Sequence, residues 1–191
     1  MKLCFATNNQ HKLKEVSEML GSEISLVSLR DIGCLQEIPE DHETLEENSL
    51  QKAQFVKDHF MIDSFADDTG LEVDALGGAP GVYSARYAGP QKNNQQNIEL
   101  LLQNLKHSKN RNAQFRTVIT LILNEKIHQF EGVVRGEIIK ELRGKEGFGY
   151  DPVFIPDGYN QTFGEMNMQQ KSSISHRGRA IAQLVNFLNN I

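Results

Sequence analysis

The sequence predicts an α/β fold built on an extended mixed β-sheet flanked by helices, and three observations carry that prediction. Strand-like and helix-like segments alternate from the N-terminus, an order that favours a parallel or mixed sheet with helices packed on it. A long β-branched stretch reads as a hairpin. An amphipathic helix closes the chain. The length of 191 residues suits one domain, since roughly 100–200 residues are typical. Residues 1–191 are therefore read as a single domain, with the βα-rich part and the long hairpin as its two lobes.

Residues 2–7, KLCFAT, are mostly apolar and end in a polar stop at Asn8-Asn9, the signature of a short buried strand. Residues 11–20 place Leu13, Val16 and Leu20 at helical spacing, and Gly21 is the expected stop. Residues 24–29, ISLVSL, give a second strand. After a polar loop at 33–42, residues 44–60 read as a helix with Leu45, Ala53, Val56 and Phe60 on one side. Thr44 and Glu47 have the spacing of a capping box. Two short strands follow, SFA at 64–66 and LEVDAL at 71–76, then a turn through Gly77-Gly78-Ala79-Pro80-Gly81. Residues 94–106 form another amphipathic helix. Residues 114–123 and 127–142 make the hairpin around Asn124-Glu125-Lys126, and a glycine-rich loop covers 144–152. The last helix spans about 175–190, with Ile181, Leu184, Val185 and Leu188 toward a core.

Composition narrows the function. Twenty basic residues against 25 acidic ones give a formal net charge of −5, which argues against a polynucleotide partner, since that needs a basic surface or stripe. No run approaches the roughly 18 apolar residues of a membrane span, and MKLCFATNNQ has too short an apolar stretch for a signal peptide. Cys4 and Cys34 form no CxxC pattern, against a disulfide framework or zinc site. A cytoplasmic location is expected. The charge is uneven: residues 31–74 hold 13 acids and two bases, a balance of −11, and no acid follows Glu165. A solvated acidic face explains this, and so does a carboxylate-lined metal site facing a basic segment that holds a polyanion.

Five segments carry chemistry. TNNQHK at 7–12 joins a strand to a helix, where free N–H groups and the helix dipole favour phosphate, with Lys12 in reach of the same anion; taken alone, the segment reads first as a plain strand–helix turn. FADDTGLEVDAL at 65–76 sets two adjacent carboxylates after an apolar strand, and these cannot both point the same way. One of them can bind a hard cation or activate water; an Asx turn is the bland alternative. The acidic stretch at 37–53 offers Glu40 and Glu47 as metal ligands and Lys52 as a base set among them. GFGYDP at 147–152 lets backbone approach a planar ligand, with Phe148 as a stacking face and Tyr150 and Asp151 as polar edges. KSSISHRGRA at 171–180 groups Lys171, His176 and Arg177 at a helix start, with Ser172, Ser173 and Ser175 as caps.

Taken in order, TNNQHK, ENSLQKA at 47–53, FADDTGLEVDALGGAPGVYSARYAG at 65–89, GFGYDP and KSSISHRGRA resemble the inosine triphosphatase-like family, the XTP/dITP diphosphatases, over nearly the whole chain. The resemblance implies a two-lobed α/β fold with a central nucleotide-binding cleft, a homodimer, and Mg²⁺-dependent hydrolysis of ITP, dITP and XTP to the monophosphate and pyrophosphate. It implies that Thr7, Asn8, Asn9, Gln10, His11 and Lys12 form the triphosphate loop. Asp68 resembles the general base and a metal ligand, Glu40 a further metal ligand, and Lys52 and Thr69 substrate contacts. Phe148, Gly149, Tyr150 and Asp151 look like the base-binding loop. Lys171, His176 and Arg177 look like further substrate contacts, the last two at the purine 6-oxo group. Asn8-Asn9 stands where many members have Gly-Asn, and EGVVRG at 131–136 lacks a Trp found in some relatives. A septum-inhibitor-type pyrophosphatase and a non-catalytic purine nucleotide sensor are the rival readings, and pyrophosphate release discriminates among the three.

Overall fold

The computed structural model describes residues 1–20 and 24–191; the expected helix stop at Gly21 lies outside the described residues. The elements are β1 (Lys2–Phe5), α1 (Gln10–Met19), β2 (Ser25–Ser28), α2 (Leu45–Phe60), β3 (Ser64–Val73), β4 (Pro80–Gly81), α3 (Asn94–Asn104), β5 (Asn112–Leu123), β6 (Lys126–Ile138), β7 (Phe154–Pro156), α4 (Met168–Ile174) and α5 (His176–Leu188). The strands pair in the order β2-β1-β3-β5-β6-β7, with β4 on β3. β1 is parallel to both β2 and β3, whereas β3–β4 and β6–β7 are antiparallel. The sheet is thus mixed, and the fold is α/β. None of the described helices is long and apolar enough to cross a membrane.

The chain divides into two compact units. The first comprises Met1–Asp68, Thr117–Gly132 and Arg177–Ile191. Its β1 and β3 are buried on both faces, and alternation along each strand sends neighbouring side chains to opposite sides. Leu3, Phe5 and Phe65 pack with Val16 of α1 and Ala180, Ile181 and Leu184 of α5. Cys4, Ala6 and Ala66 pack instead with Ala53 and Val56 of α2. Phe5 and Phe65 lie side by side across β1 and β3, their rings stacked 4.6 Å apart. The buried stripe of α2 runs Leu45, Asn48, Ser49, Lys52, Ala53, Val56. This is helical spacing, but three of its members are polar, and that places chemistry inside the packed face. Thr44 caps α2 by accepting from the Glu47 N–H at 3.2 Å, and its hydroxyl donates to the Glu47 carboxylate at 2.8 Å.

The second unit comprises Thr69–Arg116 and Val133–His176. Its core joins Leu71 and Val73 of β3, Ile98 and Leu101 of α3, Phe115 of β5, and Phe154 and Phe163. Asn97 of α3 is buried among them, accepts from the Ala88 N–H and donates to the Ala85 carbonyl, so one amide shapes the 84–88 loop.

Three expectations are corrected. The hairpin is not a lobe: its turn end belongs to the first unit and its open end to the second. Strands of 12 and 13 residues reach about 40 Å at 3.3 Å per residue, long enough to serve both. Asn124 and Glu125 alone make its turn, at φ 49° and 65°, as a two-residue hairpin turn requires. The two short strands around Asp67-Asp68 are one ten-residue strand, β3, because cations meet the two acids inside the protein. The serines of 171–180 do not open the final helix together: Ser172 and Ser173 lie within α4, which Asn167 caps by accepting from the Gln170 N–H. The seven-residue α4 is too short to show amphipathic periodicity in sequence.

Phe65 is fully buried against Phe5. Phe65→Ala is expected to cost about 3–5 kcal/mol of stability, read as a lower urea midpoint with an unchanged denaturant slope.

Candidate active site

Asp67 and Asp68 are the last two residues that β3 gives to the first unit, and strand alternation sends their carboxylates to opposite sides. Asp67, 1% exposed, accepts from Lys12 Nζ at 3.0 Å through Oδ1 and from Arg177 Nε at 3.2 Å through Oδ2. Lys12 sits on the first turn of α1 and Arg177 on the first turn of α5. Arg177 is itself 2% exposed and its Nη1 pairs with Glu15 of α1. Lys12, Asp67, Arg177 and Glu15 therefore form a buried ladder of alternating charge. Burial pushes the Asp67 carboxyl up, but Lys12 and Arg177 outweigh it and hold the group far below the ordinary carboxylate range. Burial depresses Lys12, with Asp67 opposing. Arg177 is held up by Asp67 and Glu15 against the effect of burial.

On the other side, Asp68 faces α2. Its Oδ1 lies 3.7 Å from Lys52 Nζ. Lys52 also donates to the Asp67 carbonyl at 2.7 Å and to the Glu40 carboxylate. Burial lifts the Asp68 carboxyl above its ordinary value, Lys52 opposing and Glu40 adding to the rise. Lys52 is buried too, yet Asp68 and Glu40 hold its ammonium above the ordinary lysine value. A carboxylate kept partly desolvated and raised in this way is suited to take a proton from water.

The same cluster separates the two candidate metal acids by position. Glu40 shares Lys52 with Asp68, whereas Glu47 is exposed and engaged in the α2 cap. Among the described residues, no group of three or more His, Cys, Asp or Glu side chains gathers to hold a metal. A hard divalent ion bound through one or two carboxylates, its shell completed by water and phosphate, needs no such cage. The oxygen donors of Asp68 and Glu40, turned toward one cation, fit an ion of that kind.

The 7–12 segment is partly self-occupied. Asn9 Oδ1 accepts from the His11 and Lys12 N–H groups, and Thr7 Oγ1 accepts from the Asn9 N–H. The free N–H groups expected at this helix start are thus in part taken by Asn9, a strong N-cap residue. Asn8, Gln10 and His11 are exposed, while Thr7 and Lys12 are half-buried.

The second unit brings together a separate set. Lys171 of α4 donates to Asp151 Oδ2 at 2.8 Å, and the same oxygen accepts from the Phe148 N–H at 2.7 Å. Lys171 Nζ lies 4.8 Å from the centroid of the half-buried Phe148 ring and 5.8 Å from that of Phe163. His176 stacks on Phe115 at 4.6 Å and lies 6.2 Å from Phe163. Gly147 has φ +72°, and a Cβ there would overlap Asp151 Oδ2, so glycine is required for the loop to close on its own aspartate. Thr69 is half-buried and follows Asp68 on β3, and Gly149 has φ +61°.

Two expected polar edges are turned inward. Tyr150 has its ring in the core and its hydroxyl donating to the Ser84 carbonyl at 2.8 Å; burial pushes its phenol well up. Asp151 is 2% exposed and engaged with Lys171. Both shape the loop from within: the ring gains from burial while its hydroxyl keeps a hydrogen bond, and the acid tolerates burial because Lys171 pairs with it. The sequence reading passed over Glu15 and Phe163. Glu15 was legible as an acid inside the buried stripe of α1, one turn beyond Lys12; Phe163 carried no signal beyond its aromatic type.

A sequence model of the Ham1 family matches residues 3–187 of the chain. A protein of Flavobacterium psychrophilum named dITP/XTP pyrophosphatase is 50% identical over 190 residues, which span 100% of both chains. One of the same name from Porphyromonas gingivalis is 52% identical over 188 residues, 98% of this chain and 97% of that one. Among solved structures, a HAM1 protein from Coxiella burnetii matches with a TM-score of 0.93 at 36% identity, covering 100% of each chain. The Staphylococcus aureus Ham1 protein matches with a TM-score of 0.91 at 36% identity, covering 100% of this chain and 99% of that one.

Two outcomes follow from the buried charges. Lys171→Met strands Asp151 and is expected to cost about 3–5 kcal/mol, while Asp151→Asn/Lys171→Met regains most of it; urea unfolding measures both. Asp67 has a folded pKa below its unfolded one, so its contribution to stability is present above about pH 4. That contribution is lost as pH falls further through the folded value. Asp67→Asn should flatten this acid limb when unfolding free energy is plotted against pH.

Proposed function

The chain belongs to the Ham1 family, and from that premise we propose that it is a nucleoside triphosphate pyrophosphohydrolase. Its substrates are the non-standard purine nucleotides ITP, dITP and XTP, which it removes from the nucleotide pool as the monophosphate and pyrophosphate. The observation that carries this reading is the Asp68–Lys52–Glu40 cluster in a chain 50% identical over its length to relatives named for this activity.

Asp68 is the general base. Its carboxylate takes a proton from water, whose oxygen bonds to the α-phosphorus. The bond from that phosphorus to the α–β bridging oxygen breaks, and pyrophosphate leaves. Asp68 and Glu40 would hold Mg²⁺, which supplies charge neutralisation and polarisation of the phosphate oxygens when bound. Lys12 and Lys52 stabilise charge that develops on those oxygens, an electrostatic contribution that is often large. Glu40 and the Asp67 carbonyl fix the Lys52 ammonium, so it needs no reorganisation during reaction. Thr7, Asn8, Asn9, Gln10 and His11 complete the triphosphate loop, its shape preset by the Asn9 cap.

Thr69, Phe148, Gly149 and Lys171 take part in binding the nucleoside, with Phe148 as its stacking face. Tyr150 and Asp151 hold that loop from inside. His176, packed on Phe115, and Arg177, fixed by Glu15 and Asp67, are the donors to the purine 6-oxo group. A donor set built for an oxo acceptor is left unpaired by the 6-amino group of adenine, which gives strong discrimination. Residues 1–191 act as one functional domain. The buried free thiols of Cys4 and Cys34 fit a reducing cytoplasm, and the family resemblance supports a homodimer.

Pyrophosphate release measured with ITP, XTP, dITP, ATP, GTP and dUTP tests the reading. Release is expected from the first three with Mg²⁺ and is expected to vanish on chelation. Asp68→Asn should reduce turnover about 10²–10⁴-fold. Release from dUTP alone, or from no substrate, would overturn the assignment.

A further inference from the structure

Asp67 stands beside the proposed base, and the simplest role for a second acid there is a second base or metal ligand. The geometry opposes both. Asp67 is 1% exposed, each of its oxygens accepts a charged hydrogen bond, and its side chain leaves β3 on the side opposite Asp68 and Glu40. What its carboxylate does instead is join two helices. Oδ1 holds Lys12 at the start of α1, and Oδ2 holds Arg177 at the start of α5. Glu15 returns from α1 to Arg177 and closes the ladder. Lys12 and Arg177 are 165 positions apart in sequence, so no local structure sets their relation. Asp67 contacts both of them.

We propose that Asp67 is a positioning residue that ties the phosphate end of the site to the base-selecting end, so that moving its carboxylate weakens triphosphate binding and base selection together. This inference rests on the roles given above to Lys12 and Arg177. A carboxylate shared between two cations anchors both, so moving it displaces the Lys12 ammonium and the Arg177 guanidinium together, whereas removing Lys12 leaves Arg177 held by Asp67 and Glu15. Charge-assisted bonds of this kind are about twice as strong as neutral ones, and the desolvated setting strengthens them further.

Steady-state pyrophosphate release from dITP and dATP by wild type, Asp67→Asn and Lys12→Met tests it. Asp67→Asn is expected to raise KM for dITP about tenfold and lower the dITP:dATP ratio of kcat/KM about tenfold, with kcat kept within about threefold. Lys12→Met should raise KM for both substrates and leave the ratio unchanged. A loss confined to kcat, or a wild-type ratio in Asp67→Asn, would overturn the proposal, since a merely structural defect lowers active enzyme without changing selectivity. If Asp67→Asn does not fold, Asp67→Glu decides: it keeps the charge and moves the carboxylate by one methylene. It must raise KM and lower the ratio together, and an unchanged ratio overturns the proposal. A wild type that releases no pyrophosphate removes the functional reading and this inference with it, whereas an active wild type with unaltered ratios in the variants overturns the inference alone.

Discussion

Burying a carboxylate in the middle of a β-strand is the constraint around which the first unit is arranged. An ionised acid taken out of water costs several kcal/mol unless cations and hydrogen bonds replace its hydration. Asp67 obtains both from Lys12 and Arg177, which obliges α1 and α5 to present their first turns to the same strand. Glu15 then balances the second positive charge, that of Arg177, and Phe5, Phe65, Val16 and Ile181 pack with one another in the same unit. Without those cations Asp67 would be an uncompensated buried charge, at a cost of several kcal/mol, or would have to take up a proton.

The alternation of the strand turns this constraint into chemistry. One position on, Asp68 leaves by the opposite face and meets Lys52 and Glu40. The two neighbours are thereby driven apart in acidity: the one between two cations is depressed, and the buried one that shares Lys52 with a second acid, Glu40, is raised. Divergent environments for adjacent acids separate a structural anion from a proton acceptor. The polar interruption of the α2 stripe has the same origin, since Lys52 occupies a core position only because two carboxylates and a carbonyl receive it.

The second unit uses the same device for a different end. The Lys171–Asp151 pair is buried, and it closes the glycine-rich loop on α4 while setting an ammonium near the Phe148 ring. Gly147 gives way to the aspartate, and Tyr150 anchors the loop to the Ser84 carbonyl. Buried ion pairs contribute little net stability but are costly to break singly, so they act here as fixed spacers between elements.

Local pattern was legible from the amino-acid sequence by itself. The α/β class, the amphipathic helices, the Thr44 cap, the hairpin and the opposed directions of Asp67 and Asp68 all follow from periods of 2 and 3.6 and from turn chemistry. The candidate site segments were legible too, because their residue types are unusual at their spacing. Only the tertiary structure decided which charges meet. Lys12 and Asp67 are 55 positions apart, Asp67 and Arg177 are 110 apart, and Glu15 and Arg177 are 162 apart. It also decided for Glu40 over Glu47 beside Asp68, turned Tyr150 into the core and ran β3 unbroken through two acids. The physical reason is the same in each case. Local periodicity sets which way a side chain points, but the free energy of a buried charge depends on partners that packing brings from elsewhere in the chain.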